Sequence, residues 1–228
     1  MMKDANIKII KINAGQSNLY VVNKNNRNLM IDAGNHGLQK IDNVLKSHDI
    51  EYKDIELVVL THTHYDHVNL LYELNKKIYT EILVHKAGEK YLKFGQTPDP
   101  KNGNAVGKLL LFFNKIGGNG KFKPVVPDTV INGEYFTDRL GFDVNIIPTP
   151  GHTPDSISII IDNKWAFVGD TLFNILPGTI YPIFVDDKDK LKQSWQTLLN
   201  LKCDYYFPGH GTKISHDKFI AAYQKLFG

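Results

Sequence analysis

The sequence predicts an α/β fold of two halves, each running from strands into helices and facing the other across a shared core. Three observations predict it. Short β-rich apolar runs open both halves, and amphipathic helical patterns close them. Polar turns rich in histidine and aspartate follow several apolar runs, where open α/β sheets carry their chemistry. At 228 residues the chain is long enough for one large domain, 1–228, with a substantial core.

Residues 7–12, 19–22 and 29–31 are short and β-rich, and Asn23-Lys24-Asn25-Asn26 is a hairpin signal between the latter two. Asp32-Ala33-Gly34-Asn35 breaks the third strand. A helix follows to about residue 48, with Ile41, Val44, Leu45 and His48 at helical spacing. Residues 55–60 read as a buried strand, 70–76 as a short helix, 82–84 as a strand and 87–94 as another helix. The segment 95–127 differs. It opens as a loop, and then residues 105–116 read as a helix in which Leu109, Leu110, Leu111, Phe112 and Phe113 cover more than one face. This segment is expected to be a lid or insertion joining the halves; a plain core helix fits equally, because periodicity does not separate the two. In the second half, strands are expected at 144–147, 157–161, 165–168 and 205–207. A helix near 187–199 places Leu191, Trp195, Leu198 and Leu199 on one face, with Asp186 or Asp187 as its cap. The last helix, 216–227, does the same with Phe219, Tyr223, Leu226 and Phe227. No close sequence repeat links the halves, so the duplication is architectural only.

A hydrophobic fraction of 42% and a charged fraction of 22% are ordinary for a soluble globular chain. The net charge of +3 comes without a dense Lys/Arg block, so no nucleic-acid partner is expected. No apolar run approaches the roughly 20 residues of a membrane span, and the N-terminus lacks a signal-peptide pattern. The expectation is a cytoplasmic protein without a membrane partner. The one cysteine, Cys203, excludes an intrachain disulfide and reads as a buried free thiol.

The chemistry concentrates in four segments. Thr61-His62-Thr63-His64-Tyr65-Asp66-His67 places three imidazoles and one carboxylate within six residues. His152 lies in Thr149-Pro150-Gly151-His152-Thr153-Pro154. Asp170 ends Trp165-Ala166-Phe167-Val168-Gly169-Asp170. His210 lies near the end of Tyr205-Tyr206-Phe207-Pro208-Gly209-His210-Gly211. Gly directly precedes each of the last three, and it permits tight turns and close backbone approach. Five of the nine histidines fall in these segments. On an extended backbone His62 and His64 point the same way and reach one metal, while Asp66 and His67, after a bend, can face a second. Seven ligands are too many for one tetrahedral site. They suit two adjacent metals if one carboxylate bridges, and Asp170 is the natural bridge because it has two oxygens. Two metals about 3.5–4 Å apart can hold a hydroxide and polarise a carbonyl or phosphoryl oxygen. Nitrogen and oxygen donors without thiolate suit Zn2+, Mn2+ or Fe.

Taken together, Asp32-Ala33-Gly34, the His62 to His67 cluster, Gly151-His152-Thr153-Pro154, Gly169-Asp170-Thr171 and Pro208-Gly209-His210-Gly211 resemble the metallo-β-lactamase fold superfamily, with its glyoxalase II-like hydrolases. The resemblance implies an αββα four-layer sandwich with the site at the sheet edges. It implies two divalent ions, His62, His64 and His152 on the first, Asp66, His67 and His210 on the second, and Asp170 between them. It also implies that Asp32 supports the site from behind the ligands, although Asp favours such strand-end turns in any case.

Departures narrow the choice of member. Well-studied zinc β-lactamases put Cys where Asp170 stands, and flavodiiron oxidoreductases put Glu where His64 stands. Long-form glyoxalase II adds a C-terminal domain, acyl-homoserine lactonases carry Tyr where this chain has Phe173, and the ribonuclease Z arm is not identifiable. The expectation is a dinuclear metal-dependent hydrolase, most simply with zinc, in which a metal-bound hydroxide cleaves an ester, thioester, lactone or phosphoester of a small molecule. Asp66 is the expected catalytic proton handler. Asn174 and Tyr181 are candidate substrate contacts by loop position, His85 is expected to be structural, and self-association is left open. The alternatives are a mononuclear iron dioxygenase acting on a persulfide and a metal-binding module without catalysis.

Overall fold

The computed structural model describes residues 7–98 and 120–228. Two six-stranded sheets lie face to face between layers of helices. The first contains, in spatial order, β1 (Lys8–Asn13), β2 (Asn18–Lys24), β3 (Arg27–Ile31), β4 (Ile55–Val59), β5 (Glu81–His85) and β6 (Thr129–Ile131). β1 to β3 form an antiparallel meander, and β3 to β6 run parallel. The second sheet contains β7 (Tyr135–Thr137), β8 (Val144–Pro148), β9 (Ile157–Ile161), β10 (Trp165–Asn174), β11 (Tyr205–Gly211) and β12 (Ile214–Ser215). Its neighbours pair antiparallel except β10 and β11, which are parallel. The helices are α1 (Leu38–Ser47), α2 (Tyr65–Val68), α3 (Leu71–Ile78), α4 (Lys86–Phe94), α5 (Lys188–Asn200) and α6 (His216–Phe227).

The unbroken apolar strands are explained by burial on both faces. Side chains alternate along a strand, so Val21, Met30, Val58, Ile82 and Val84 pack toward the outer helices of the first half. Their neighbours Tyr20, Val22, Leu29, Ile31, Leu57, Val59 and Leu83 face the opposite sheet, where they meet Val144, Ile146, Ile159, Ile161 and Phe167. In the second half Ile160, Ala166 and Val168 turn outward onto Leu191, Trp195, Leu198 and Phe219 of α5 and α6. Three apolar layers between four layers of secondary structure make the αββα sandwich.

Local chemistry sets the element ends. Asn25 and Asn26, at φ 53° and 64°, close a two-residue hairpin between β2 and β3. The Asp187 carboxylate accepts from Lys190 N at 3.0 Å and caps α5, so of the two candidate caps it is Asp187. Ser215 caps α6 in the same way, and the His85 ring accepts from Ala87 N to cap α4, a structural use of that imidazole. Cys203 is buried, and burial first, then Asp204, pushes its thiol up to about 11.

The structure adds β6, β7 and β12, which the sequence does not predict. They have three, three and two residues, too few to display alternation. It also extends β10 and β11 past the expected ends, so Asp170 and His210 lie inside strands rather than after them. The β10–β11 register shifts on both sides of Gly169, whose φ of 48° bends the strand there. The helix expected over 105–116 lies outside the described residues. Its flanks are joined: Gln96 bridges Lys121, and Thr97 N donates to Gly120 O at 3.0 Å. Among the described residues, no helix is long and apolar enough to cross a membrane.

Candidate metal centre

The site lies where the ends of β3, β4, β8, β10 and β11 meet. After β4 the chain bends at Thr61 and is extended at His64; the two threonine hydroxyls turn to Asp32 and Asp155, and the two imidazoles join His152 and Asp170. α2 then turns the chain and brings Asp66 and His67 to the same cleft. No side chain caps α2 at His64. The Thr97 hydroxyl instead accepts from Tyr65 N at 2.7 Å and donates to Thr63 O at 3.2 Å.

Two ligand rings have their tautomers fixed from behind. Asp32 Oδ2 accepts from His67 Nδ1 at 2.8 Å, which leaves His67 Nε2 facing Asp170 Oδ1 at 3.3 Å. The Phe184 carbonyl accepts from His152 Nδ1 at 2.8 Å, which leaves His152 Nε2 facing His64 Nδ1 at 3.0 Å. Asp32 Oδ1 also takes Thr61 N at 2.8 Å, so one buried carboxylate ties β3, β4 and α2 together. His210 stacks on Phe173, with centroids 4.4 Å apart and planes 23° apart.

Asp170 stands at the centre, 4% exposed. Its Oδ2 lies 3.4 Å from His210 Nε2, 3.5 Å from His152 Nε2 and 3.9 Å from His62 Nε2. Asp66 Oδ2 lies 3.0 Å from His210 Nε2 and 3.7 Å from His67 Nε2. The seven residues fall into two groups, His62, His64, His152 and Asp170, and Asp66, His67 and His210, with the ligand atoms of each group within 4.8 Å of one another.

This donor set fits two cations. Among the described residues five buried side-chain polar atoms lack a hydrogen-bond partner: His62 Nε2, His64 Nε2, His67 Nε2, Asp170 Oδ1 and Asp155 Oδ1. Four of the five belong to the ligand residues. An orphaned buried polar atom costs about 1–3 kcal/mol, and one cation at each group would satisfy these atoms, His62 Nε2 and His64 Nε2 in the first and His67 Nε2 in the second. The two groups differ electrostatically. Burial, aided by His67 and by His152 respectively, holds His62 well below the usual imidazole range and His64 at about 3. Burial pulls the same way on His67 and His210, but Asp170, with Asp32 and Asp66 at His67 and Asp66 at His210, outweighs it. His67 is held well above its ordinary value and His210 at about 10.

The two loop candidates both have partners within the chain. Asn174 donates to Thr212 O and Thr212 Oγ1 at 2.9 Å each and accepts from Lys218 Nζ at 2.7 Å. Tyr181 is half-buried against Trp195 and Phe227 of the outer helices. Thr61, Thr63, Thr97 and Asp155 surround the ligands without standing out in the sequence. The available signal is the Thr-His-Thr-His alternation, which puts every second side chain behind the metal ligands.

Comparison with known proteins agrees with this architecture. Residues 12–210 match the family model of the metallo-beta-lactamase superfamily. A probable metallo-hydrolase of Methanocaldococcus jannaschii is 30% identical over 226 residues, covering 96% of this chain and 99% of that protein. The hydroxyacylglutathione hydrolase GloC of Haemophilus influenzae is 31% identical over 74% of this chain and 72% of its own length. An archaeal metallo-beta-lactamase superfamily protein from Sulfolobus tokodaii superposes with a TM-score of 0.71 at 24% identity, covering 96% of this chain and 86% of that one. With its two six-stranded sheets, its His/Asp groups at their edge and a family match over most of its length, the chain belongs to the metallo-beta-lactamase superfamily.

Proposed function

We propose that this chain is a dinuclear metal-dependent hydrolase, with Zn2+ at both positions, acting on an ester, thioester, lactone or phosphoester. The observation that carries the reading is the pair of His/Asp groups sharing the Asp170 carboxylate. Similarity to a probable metallo-hydrolase supports hydrolysis, and similarity to a hydroxyacylglutathione hydrolase favours the thioester among the four bonds. Two divalent ions held this way supply Lewis acidity and lower the pKa of a coordinated water toward neutrality. The protein's own groups do the rest. His67 and His152 are locked by Asp32 and the Phe184 carbonyl, so their lone pairs need no reorientation. Asp66 has a side chain 22% exposed against 4% for Asp170, so it is the carboxylate placed to meet a substrate or water and to take a proton. On the 173–181 segment the exposed apolar residues are Ile175 and Leu176, which suit the apolar part of a substrate better than Asn174 or Tyr181 with their existing partners.

Metal titration of stripped protein at pH 6 and pH 8 tests the reading. Two ions per chain are expected, together with turnover on a panel of chromogenic esters, thioesters, lactones and phosphodiesters. The steps should differ in pH response. His67 and His210 hold protons in the metal-free protein at neutral pH, because their pKa values are raised, and must release them to bind. Affinity at the Asp66, His67 and His210 group therefore rises with pH toward about 10, while the group containing His62 and His64, already neutral, responds less. One ion per chain with oxygen uptake would replace hydrolysis by the dioxygenase reading, and full loading without turnover on any panel member would favour a binding module.

Asp66→Asn separates chemistry from folding. The amide keeps the shape and loses the charge and the proton capacity. A fall in kcat of about 10²–10⁴ is expected from loss of a general acid–base, with little change in thermal midpoint. An unchanged kcat removes the role assigned to Asp66.

A further inference from the structure

The two threonines that alternate with His62 and His64 are held in the same manner. Thr61 gives its backbone N–H and its hydroxyl to the Asp32 carboxylate, at 2.8 Å and 2.9–3.0 Å. Thr63 gives its backbone N–H and its hydroxyl to Asp155 Oδ2, at 2.9 and 2.7 Å. Asp32 follows β3 in the first sheet, whereas Asp155 lies between β8 and β9 in the second. Two residues further on, Ile157 N donates to Thr61 O at 2.9 Å, so the same second-half segment grips the ligand loop twice. α4 leaves room for the contact: a Cβ at Gly88 would come within 2.6 Å of Asp155 Oδ2 and 2.9 Å of Thr63 Cγ2.

Asp155 is 1% exposed, and its Oδ1 has no hydrogen-bond partner among the described residues. A buried carboxylate held by the donors of one threonine is a poor source of stability by itself, because desolvation of the charge offsets most of the gain. What the arrangement does provide is a fixed backbone between two imidazoles. The bonds to the backbone N–H groups of Thr61 and Thr63 hold the main chain from which His62 and His64 reach the site.

We propose that Asp155 is a positioning residue of the metal centre, which grips Thr63 from the second half of the chain and so fixes His62 and His64 for the metal, as Asp32 does through Thr61 from the first half. This rests on the reading of the site as a metal centre. Asp155 acts only through Thr63, and its effect belongs first to the group formed by His62, His64, His152 and Asp170.

The test is metal affinity, measured by competition with a chromophoric chelator for Zn2+ and by the absorption spectrum of the Co2+-loaded protein, beside a thermal melt of metal-free protein. Asp155→Ala and Thr63→Val should each weaken the ion at His62, His64, His152 and Asp170 by about 10–100-fold, the range for partners behind metal ligands, and alter the Co2+ spectrum. The double variant should be no weaker than the worse single one, because both remove one link. Thr63→Ser, which keeps both donors, should bind like the parent. If Asp155→Ala does not fold, Thr63→Val gives the reading, because it removes the hydroxyl bond to Asp155 Oδ2 and leaves the carboxylate in place. Folded variants with parental affinity and an unchanged spectrum overturn the role of Asp155 while leaving the metal centre intact. A parent chain that takes up no metal overturns the metal reading and this proposal with it.

Discussion

Asp170→Ala is expected to strip the chain of bound metal at neutral pH and to lower hydrolysis by on the order of 10³-fold or more. Its two oxygens lie 3.3–3.9 Å from the Nε2 atoms of His62, His67, His152 and His210, so no other carboxylate faces both ligand groups so fully. Removing it takes away the carboxylate that faces both groups and leaves five imidazoles with Asp66 as the one remaining anionic donor. Loss of several kcal/mol of Lewis-acid stabilisation corresponds to about three powers of ten in rate. Asp170→Asn keeps the volume and removes the charge, so it separates the electrostatic contribution from a packing defect. Elemental analysis after gel filtration gives the loading, and the most responsive panel substrate gives the rate. Two ions per chain in Asp170→Ala, with parental turnover, would remove Asp170 from the centre of the scheme.

The grouping of the seven candidate ligand residues was legible because each follows, or lies at the end of, an apolar run visible in the sequence. His62, His64, Asp66 and His67 follow β4, His152 follows β8, and Asp170 and His210 lie on β10 and β11. The sheet core was legible for the same reason, since strands buried on both faces read as unbroken Val/Ile/Leu. β7 and β12 escaped because they have only three and two residues, and β6 because it also depends on non-local pairing, with Asp128 Oδ2 accepting from Ile82 N at 2.9 Å to anchor it beside β5. Asp155 escaped because one aspartate after Thr153-Pro154 carries no periodicity; its role appears only once Thr63 lies beside it. Asn174 and Tyr181 illustrate a different limit. Loop position predicts access, but it does not disclose that Thr212 and Lys218 take up the amide of Asn174, or that Tyr181 lies on Trp195.

Gly209→Ala is expected to damage the metal centre as severely as loss of a ligand, although it removes no donor. A glycine before a ligand suggests backbone freedom, and at Gly169 this holds, with φ at 48°. Gly209 is different, because its φ is not in the left-handed region and an alanine could adopt its backbone. The obstacle is space. A Cβ there would sit 2.3 Å from Asp170 Oδ1, 2.5 Å from His67 Cε1 and 3.2 Å from His67 Nε2. All three atoms are buried, and Asp170 and His67 are each held by several partners, so neither can swing away freely. Overpacking of this kind costs about 1–3 kcal/mol, which for a chain of this size lowers the thermal midpoint by about 2–4 °C per kcal/mol. The larger effect falls on metal binding, because the methyl group separates Asp170 from His67, which supply donors to the two groups. The ion at Asp66, His67 and His210 should be lost, and the apolar methyl cannot replace it. Gly133→Ala is the control: nothing lies within 4 Å of its added Cβ, and loading should stay at the parental value. Parental loading and melting in Gly209→Ala would mean that β11 yields at this point, and that the tight approach of His67 and Asp170 is not required for the centre to fill.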